Sequence, residues 1–129
     1  MSKILVTGGA GYIGSHTCKA LHAAGHTPGV YDNLSNGHRE AVKLGPFELG
    51  DINDKERLSA VFADHDPDAV VYFAGLIEVG HSVTDPAAFW HTNIEGSLSL
   101  LNVMREAGVD RIVFSSTAAV YGAPDSVPM

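Results

Sequence analysis

Residues 3–14 read Lys-Ile-Leu-Val-Thr-Gly-Gly-Ala-Gly-Tyr-Ile-Gly. The apolar run Ile4–Val6 stops abruptly at glycines, and a helix-like pattern starts directly behind them. Gly8, Gly11 and Gly14 are spaced by three, and Gly9, Gly11 and Gly14 also fit G-x-G-x-x-G. A buried parallel strand that turns into a helix holding a pyrophosphate at its N-terminus has this pattern. At Gly8 the chain must turn tightly, at Gly11 the backbone must come close to phosphate, and at Gly14 the helix must pack closely on the strand. The unsatisfied N–H groups at the helix start and its positive dipole end favour an anion.

A bare G-x-G-x-x-G is a weak signal, but here a strand precedes it, a helix follows, and an acid stands downstream. That acid is Asp32, 18 residues after Gly14 and just beyond a second strand read at Thr27–Tyr31. Its carboxylate would accept from both adenosine ribose hydroxyls and repel a 2′-phosphate, which favours NAD over NADP. Asp32-Asn33 is also a good turn pair, so the acid gains this meaning only behind the fingerprint.

Working outward, strands and helices alternate. The first helix is expected from Tyr12 to Ala24, with Ile13, Thr17, Ala20, Leu21 and Ala24 on one face and Gly25 closing it. A polar loop, Asn33–His38, precedes a short helical turn near Arg39–Lys43 and a third strand at Phe47–Leu49. Asn53 and Glu56 resemble a capping box for a helix with the stripe Leu58, Val61 and Phe62, ended before Asp66-Pro67. Ala69–Ala74 reads as a strand buried on both faces. Asp85-Pro86 opens a long helix with a stripe of Trp90, Ile94, Leu98 and Leu101, closed at Gly108. Arg111–Ser115 is the fifth strand. The fold class predicted is α/β, a doubly wound parallel sheet of Rossmann type in the order 3-2-1-4-5. The ligand crevice then lies at the carboxyl ends of strands 1 and 4.

Composition sets the outer bounds. The chain has 129 residues, enough for one domain with a core and too few for two. A net charge of −7 argues against a nucleic-acid groove or an anionic membrane surface. No apolar segment is long enough to span a bilayer and no signal-peptide pattern is present. The single cysteine, Cys18, cannot form an internal disulfide, and a cytoplasmic setting is expected. Of the seven histidines, His22 and His26 are four apart, but Gly25 ends the helix between them and no third ligand stands nearby, so no metal site is expected.

Thr7-Gly8-Gly9-Ala10-Gly11-Tyr12-Ile13-Gly14 resembles the signature of the extended short-chain dehydrogenase/reductases. Asp32-Asn33-Leu34-Ser35-Asn36-Gly37, Gly50-Asp51-Ile52, Phe73-Ala74-Gly75-Leu76, Val79-Gly80, Ser82-Val83 and Phe114-Ser115-Ser116-Thr117-Ala118-Ala119-Val120-Tyr121-Gly122 resemble the nucleotide-sugar 4-epimerases of that family. The likeness covers essentially the whole chain.

It implies that Tyr12 and Ile13 present backbone N–H groups to the pyrophosphate of NAD. The segment Asp32, Asn33, Leu34, Ser35, Asn36, Gly37 would surround the adenosine ribose and its neighbouring phosphate. Asp51 and Ile52 would border the adenine, with the Asp51 carboxylate accepting from its exocyclic amine. Phe73, Ala74, Gly75, Leu76 and Ile77 would line the dinucleotide from the fourth strand, and Ser115 from the fifth. Asn93, or its neighbour Thr92, would reach in from the long helix, and the Thr117 hydroxyl would contact the sugar 4-hydroxyl. The implied activity is interconversion of UDP-glucose and UDP-galactose through a 4-keto intermediate. A UDP-sugar is the implied substrate, and the family admits a homodimer.

Departures from the family pattern are equally legible. Its base is the Tyr of a Tyr-x-x-x-Lys pair, and no such pair occurs here, since Tyr121 is followed four residues on by Asp125. The expectation is an amino-terminal part, truncated after about the fifth strand at Val127-Pro128-Met129, without the catalytic pair or a substrate domain and not competent alone. Ile77 stands where the family commonly has a Lys that reaches the cofactor, and Glu78 and His81 also differ from the usual residues. A 4,6-dehydratase would carry Thr-Asp-Glu where this chain has Thr117-Ala118-Ala119, so its acid/base pair is missing. A related epimerase or decarboxylase acting on another sugar, or a free-standing NAD-binding module without catalysis, remains an alternative.

Overall fold

Strand β1 (Lys3–Thr7) lies at the centre of a five-stranded, wholly parallel sheet in the order β3-β2-β1-β4-β5. The computed structural model describes residues 1–122 and 126, so Asp125 and 127–129 lie outside the described residues. β2 (Thr27–Asp32) pairs Lys3 with Thr27 through Thr7 with Tyr31, and β4 (Ala69–Tyr72) pairs Ile4 with Ala69 through Thr7 with Tyr72. β3 (Phe47–Leu49) and β5 (Ile112–Phe114) form the two edges. The order is the one predicted.

Side chains of β1 alternate between two cores, as a pleated strand requires. Leu5 joins Tyr31, Val70 and Tyr72 beneath helices α2 (Lys55–His65) and α5 (Gly96–Ala107), with Leu58, Val61, Phe62, Leu100, Val103 and Met104. Val6 joins Val30 and Val71 on the opposite face, under Cys18 and Leu21 of helix α1 (Tyr12–Ala23). The apolar runs of β1 and β4 thus reflect burial on both faces.

Several elements differ in detail from the reading of the sequence. The buried face of α1 is Gly14, Cys18 and Leu21, whereas Ile13 and Ala20 point outward with Tyr12 and His16 around an open depression of about 440 Å³. Close seating at Gly14 turns the helix by one residue from the bulkiest apolar stripe. Burial pushes the Cys18 thiol up to about 11, so it is a core group rather than a nucleophile. Helix α2 is capped by Asp54, whose carboxylate accepts from the Arg57 N–H at 2.9 Å, and not by Asn53. Asp32 is the last residue of β2 rather than the residue beyond it. β4 and β5 are shorter than read, although the Phe73 N–H still donates to the Thr7 carbonyl at 2.9 Å. A short helix, α3 (Val79–Thr84), occupies a segment to which the sequence analysis assigns no element.

The largest correction concerns the long helix. It begins as α4 (Pro86–Phe89), with Pro86 in its first turn and Asp85 capping it, and it closes at Gly108 with φ 73°. Between α4 and α5 lies a π-helical turn, Trp90–Glu95, in which the Gly96 N–H donates to the His91 carbonyl five residues back. One extra residue rotates what precedes it by about 100° relative to a regular helix. The core stripe is Gly96, Leu100, Val103 and Met104, while Trp90, Ile94, Leu98 and Leu101 are about half exposed or more.

Candidate functional site

The predicted site residues fall at the carboxyl end of β2, in the turns that follow the five strands, in the first turn of α1, and in the π-helical turn beside them. They therefore share the carboxyl edge of the sheet. The β1–α1 turn is shaped by glycine sterics. Gly8 has φ +72°, and a β-carbon there would lie 2.7 Å from the Ala74 N and the Phe73 carbonyl carbon. A β-carbon at Gly14 would strike the Gly8 carbonyl oxygen and lie 2.7 Å from Gly9 Cα. Gly11 is different, because a β-carbon there meets nothing nearer than the Gly8 oxygen at 3.4 Å. The space beside Gly11 is open where an anion would approach. Gly11 is also the N-cap of α1 and no side chain caps that helix, so no side chain takes up the N–H groups of its first turn, among them those of exposed Tyr12 and Ile13.

Asp32 is the pin of this edge. Its side chain sits in a residue only 8% exposed, yet both oxygens are engaged. The Ala10 N–H donates to Oδ2 at 2.9 Å and the Leu34 N–H to Oδ1 at 2.8 Å. The carboxylate thus fastens the glycine turn to the Asn33–Gly37 loop, and each oxygen keeps a second lone pair for a hydroxyl donor. Leu34 takes φ +60°, a rare conformation for a residue with a branched side chain. The His38 N–H donates to the Ala10 carbonyl at 3.0 Å, and a β-carbon at Gly37 would lie 2.9 Å from the Ala10 carbonyl carbon. Gly37 and His38 therefore sit against the glycine turn, while Asn36 beside them is exposed. Ala10 is the residue the sequence reading missed: its N–H and C=O carry both ties, and only its place between glycines hinted at it.

Asp51 closes the side beyond β2. Its Oδ2 accepts from Asn33 Nδ2 and its Oδ1 from the Asn53 N–H, both at 2.9 Å, and its carbonyl accepts the Tyr31 hydroxyl at 2.7 Å. Burial alone would raise the Asp51 carboxyl, but the Asn53 and Asn33 hydrogen bonds and the nearby His91 outweigh it and hold the group below the ordinary aspartate range. Ile52 turns inward, 5% exposed in the core, so only its backbone borders the cleft.

On the other side, Phe73, Ala74 and Gly75 continue from β4. Asn93 accepts from the Leu76 N–H at 2.8 Å and donates to the Leu76 carbonyl at 2.9 Å, so it grips this loop rather than standing as a surface amide. Ile77 is 86% exposed. Ser115 follows β5, its N–H donating to the Tyr72 carbonyl at 3.1 Å. The Thr117 hydroxyl oxygen accepts from the Ala119 N–H at 3.1 Å, which leaves its proton free to donate outward. Among the described residues, no three His, Cys, Asp or Glu side chains converge as metal ligands, and no helix is long and apolar enough to cross a membrane.

The sequence profile of the NAD dependent epimerase/dehydratase family matches residues 4–129. The chain is 61% identical over 128 residues to the UDP-glucose 4-epimerase of Rhizobium meliloti (strain 1021), which covers 99% of this chain and 39% of that protein. Its fold matches the UDP-glucose 4-epimerase from Brucella ovis in complex with NAD, with a TM-score of 0.94 and 46% identity over 100% of this chain and 40% of the other. It matches the UDP-glucose 4-epimerase from Stenotrophomonas maltophila with bound NAD and formylated UDP-arabinopyranose with a TM-score of 0.93 and 42% identity, over 100% and 41%. The chain spans about two fifths of the length of these relatives.

Proposed function

The chain belongs to the NAD dependent epimerase/dehydratase family, and from that premise we propose that it forms the NAD-binding part of a UDP-glucose 4-epimerase. The observation that carries this reading is the junction of two features: an uncapped helix start beside open space at Gly11, and the buried Asp32 carboxylate pinned next to it. The first suits a pyrophosphate and the second a pair of ribose hydroxyls, and the Ala10–Asp32 hydrogen bond holds the two side by side. The residues present fit the group.

In this reading Tyr12 and Ile13 donate backbone N–H groups to the pyrophosphate. Asp32, with Asn33 to Gly37, holds the adenosine ribose, and Asp51 accepts from the adenine amine. Phe73 to Ile77 and Ser115 line the nicotinamide half. Thr117, with its proton free, orients the sugar 4-oxygen. NAD would supply reversible acceptance of hydride from the sugar C4, while this chain supplies position and electrostatics. No Tyr in this sequence is followed four residues on by Lys, so in this reading the 129 residues carry no base of that kind. The 129-residue polypeptide is therefore expected to bind NAD without turning over UDP-galactose. The substrate is a UDP-hexose, in keeping with the names of the relatives.

A homodimer is proposed through the long helix, where Trp90, Ile94, Leu98 and Leu101 are all about half exposed or more. Amide shift mapping with NAD tests the site itself. Changes are expected at Gly8–Gly14, Asp32–Gly37, Asp51 and Ala74–Ile77, and changes confined to the outer face of α1 would overturn the assignment.

A further inference from the structure

Tyr31 and Asp32 are successive residues of β2, so their side chains leave the sheet on opposite faces. Asp32 goes to the glycine turn, while Tyr31, only 1% exposed, runs beneath the turn that follows β3. Its hydroxyl donates to the Asp51 carbonyl at 2.7 Å, the ordinary length of a good O–H···O bond. The ring passes so close under Gly50 that a β-carbon there would lie 2.6 Å from its Cε2 and Cζ atoms. Gly50 has no positive φ, so the approach of the phenol, and not a turn conformation, requires a glycine at this position.

Packing does not call for the hydroxyl. In the cluster with Leu5, Ile52 and Leu58 a phenylalanine would bury the same ring. Burial first, and then the charges of Asp54 and Asp51, push the phenol far above its ordinary range, against a smaller opposing effect of Arg57. The group therefore stays protonated and remains a donor. The turn it serves is tied down on either side, by the Gly50 N–H donating to the Asp32 carbonyl at 3.1 Å and by Arg57 Nε donating to the Leu49 carbonyl at 3.2 Å. Each Asp51 carboxylate oxygen accepts one hydrogen bond, from Asn33 Nδ2 or from the Asn53 N–H, and keeps a lone pair for a further donor. Those two bonds lie in solvent, whereas Tyr31 reaches the Asp51 main chain out of the core.

We propose that Tyr31 is a positioning residue for base recognition: by holding the Asp51 carbonyl it fixes the Asp51 carboxylate where a 6-amino purine donates to it, and so gives the cleft a preference for adenine over a 6-oxo purine. This rests on the NAD-binding reading above. An acceptor already held in place loses less freedom on binding than a mobile one, and it cannot swing away from an oxo group that repels it. Two neighbouring residues of one strand then serve the two parts of the adenosine, Asp32 the ribose and Tyr31, through Asp51, the base.

Nicotinamide hypoxanthine dinucleotide is the probe, because its base carries an oxo group in place of the adenine amine. The unaltered chain is expected to bind NAD at least about tenfold tighter than this analogue, the size of one hydrogen bond to a charged group. Tyr31→Phe is expected to weaken NAD about fivefold without weakening the analogue, so that the preference falls to about twofold. A role in stability alone would lower both affinities together. On an Asp51→Ala background, Tyr31→Phe should shift neither ligand, because effects that run through one residue do not add. Without ligand, the Asp51 carbonyl carbon resonance is expected to move in Tyr31→Phe, which reports the lost bond. Equal weakening of the two dinucleotides, an unchanged preference, an unmoved Asp51 resonance, or the same NAD loss on the Asp51→Ala background overturns the proposal. If the unaltered chain binds neither dinucleotide, the NAD reading fails and the proposal falls with it, while the Asp51 resonance still shows whether Tyr31 holds the turn.

Discussion

Gly11 and Gly14 lie three residues apart in the same turn, yet the structure assigns them different work. At Gly14 a β-carbon collides with the backbone of Gly8 and Gly9, so Gly14→Ala should lower the unfolding midpoint and abolish nucleotide binding together. At Gly11 the nearest atom is 3.4 Å away and φ is −77°, which alanine adopts without strain. Gly11→Ala should leave thermal unfolding within about 1 kcal/mol of the parent, the ordinary cost of losing a good N-cap, and still weaken NAD by more than about tenfold because a methyl fills the phosphate approach. Calorimetric unfolding beside ligand titration separates the two effects. Asp32 makes a related point. Replacing it with Ala leaves two backbone N–H groups of the cleft without their acceptor, so about 1–3 kcal/mol of stability should go. Removing the acid alone should not create an NADP site, and tight NADP binding by Asp32→Ala would refute its structural part.

Edge strand β3 is only three residues long, and a side-chain cluster fastens it to α2. Glu48 on β3 meets the Arg57 guanidinium and lies 2.7 Å from His65 Nε2, while Arg57 Nε donates to the Leu49 carbonyl at 3.2 Å. The His65 hydrogen bond first, and Arg57 after it, hold the Glu48 carboxyl below its ordinary value against the effect of burial. A carboxyl depressed in the folded state stabilises above its unfolded value and loses that contribution as pH falls through the folded one. Stability should therefore fall as the solution is acidified below about 4.5, the ordinary value for Glu48, and Glu48→Gln should flatten that decline in a denaturant series across pH. Elements of this kind also mark the limit of what sequence shows. Strand order, the β1–α1 turn, the Leu58–Val61–Phe62 stripe and the caps at Pro86 and Gly108 were legible, because each rests on periodicity or on a residue with restricted backbone choices. The long helix misled because it carries two apolar stripes, and only the packing of α5 against α2 shows which one is buried; the π turn before it has no signature in composition. Asp32 and Asn93 stand out in the sequence, but their bonds to Ala10, Leu34 and Leu76 do not. Backbone partners leave no mark in side-chain spacing.

Across the whole molecule, the two faces of the sheet are unequally covered. Among the described residues, α2 and α5 shield one face, while α1 and Val42 cover the other, and β5 stands at the edge with Ile112, Val113 and Phe114 all exposed. The long helix adds Trp90, Ile94, Leu98 and Leu101 outside. If that stripe is the dimer seam, light scattering should find the chain at twice its monomer mass and Leu98→Lys at the monomer mass with the sheet intact, whereas an unshifted mass in Leu98→Lys would place any self-association elsewhere. None of this bears on the central claim as directly as the ligand itself. The decisive measurement is a calorimetric titration of the purified chain with NAD and, in parallel, with NADP. Saturable one-site binding of NAD, with NADP weaker by at least about tenfold because its 2′-phosphate meets the Asp32 carboxylate, is the predicted result. Heat that never saturates with either dinucleotide, or NADP binding as tightly as NAD, would contradict the account.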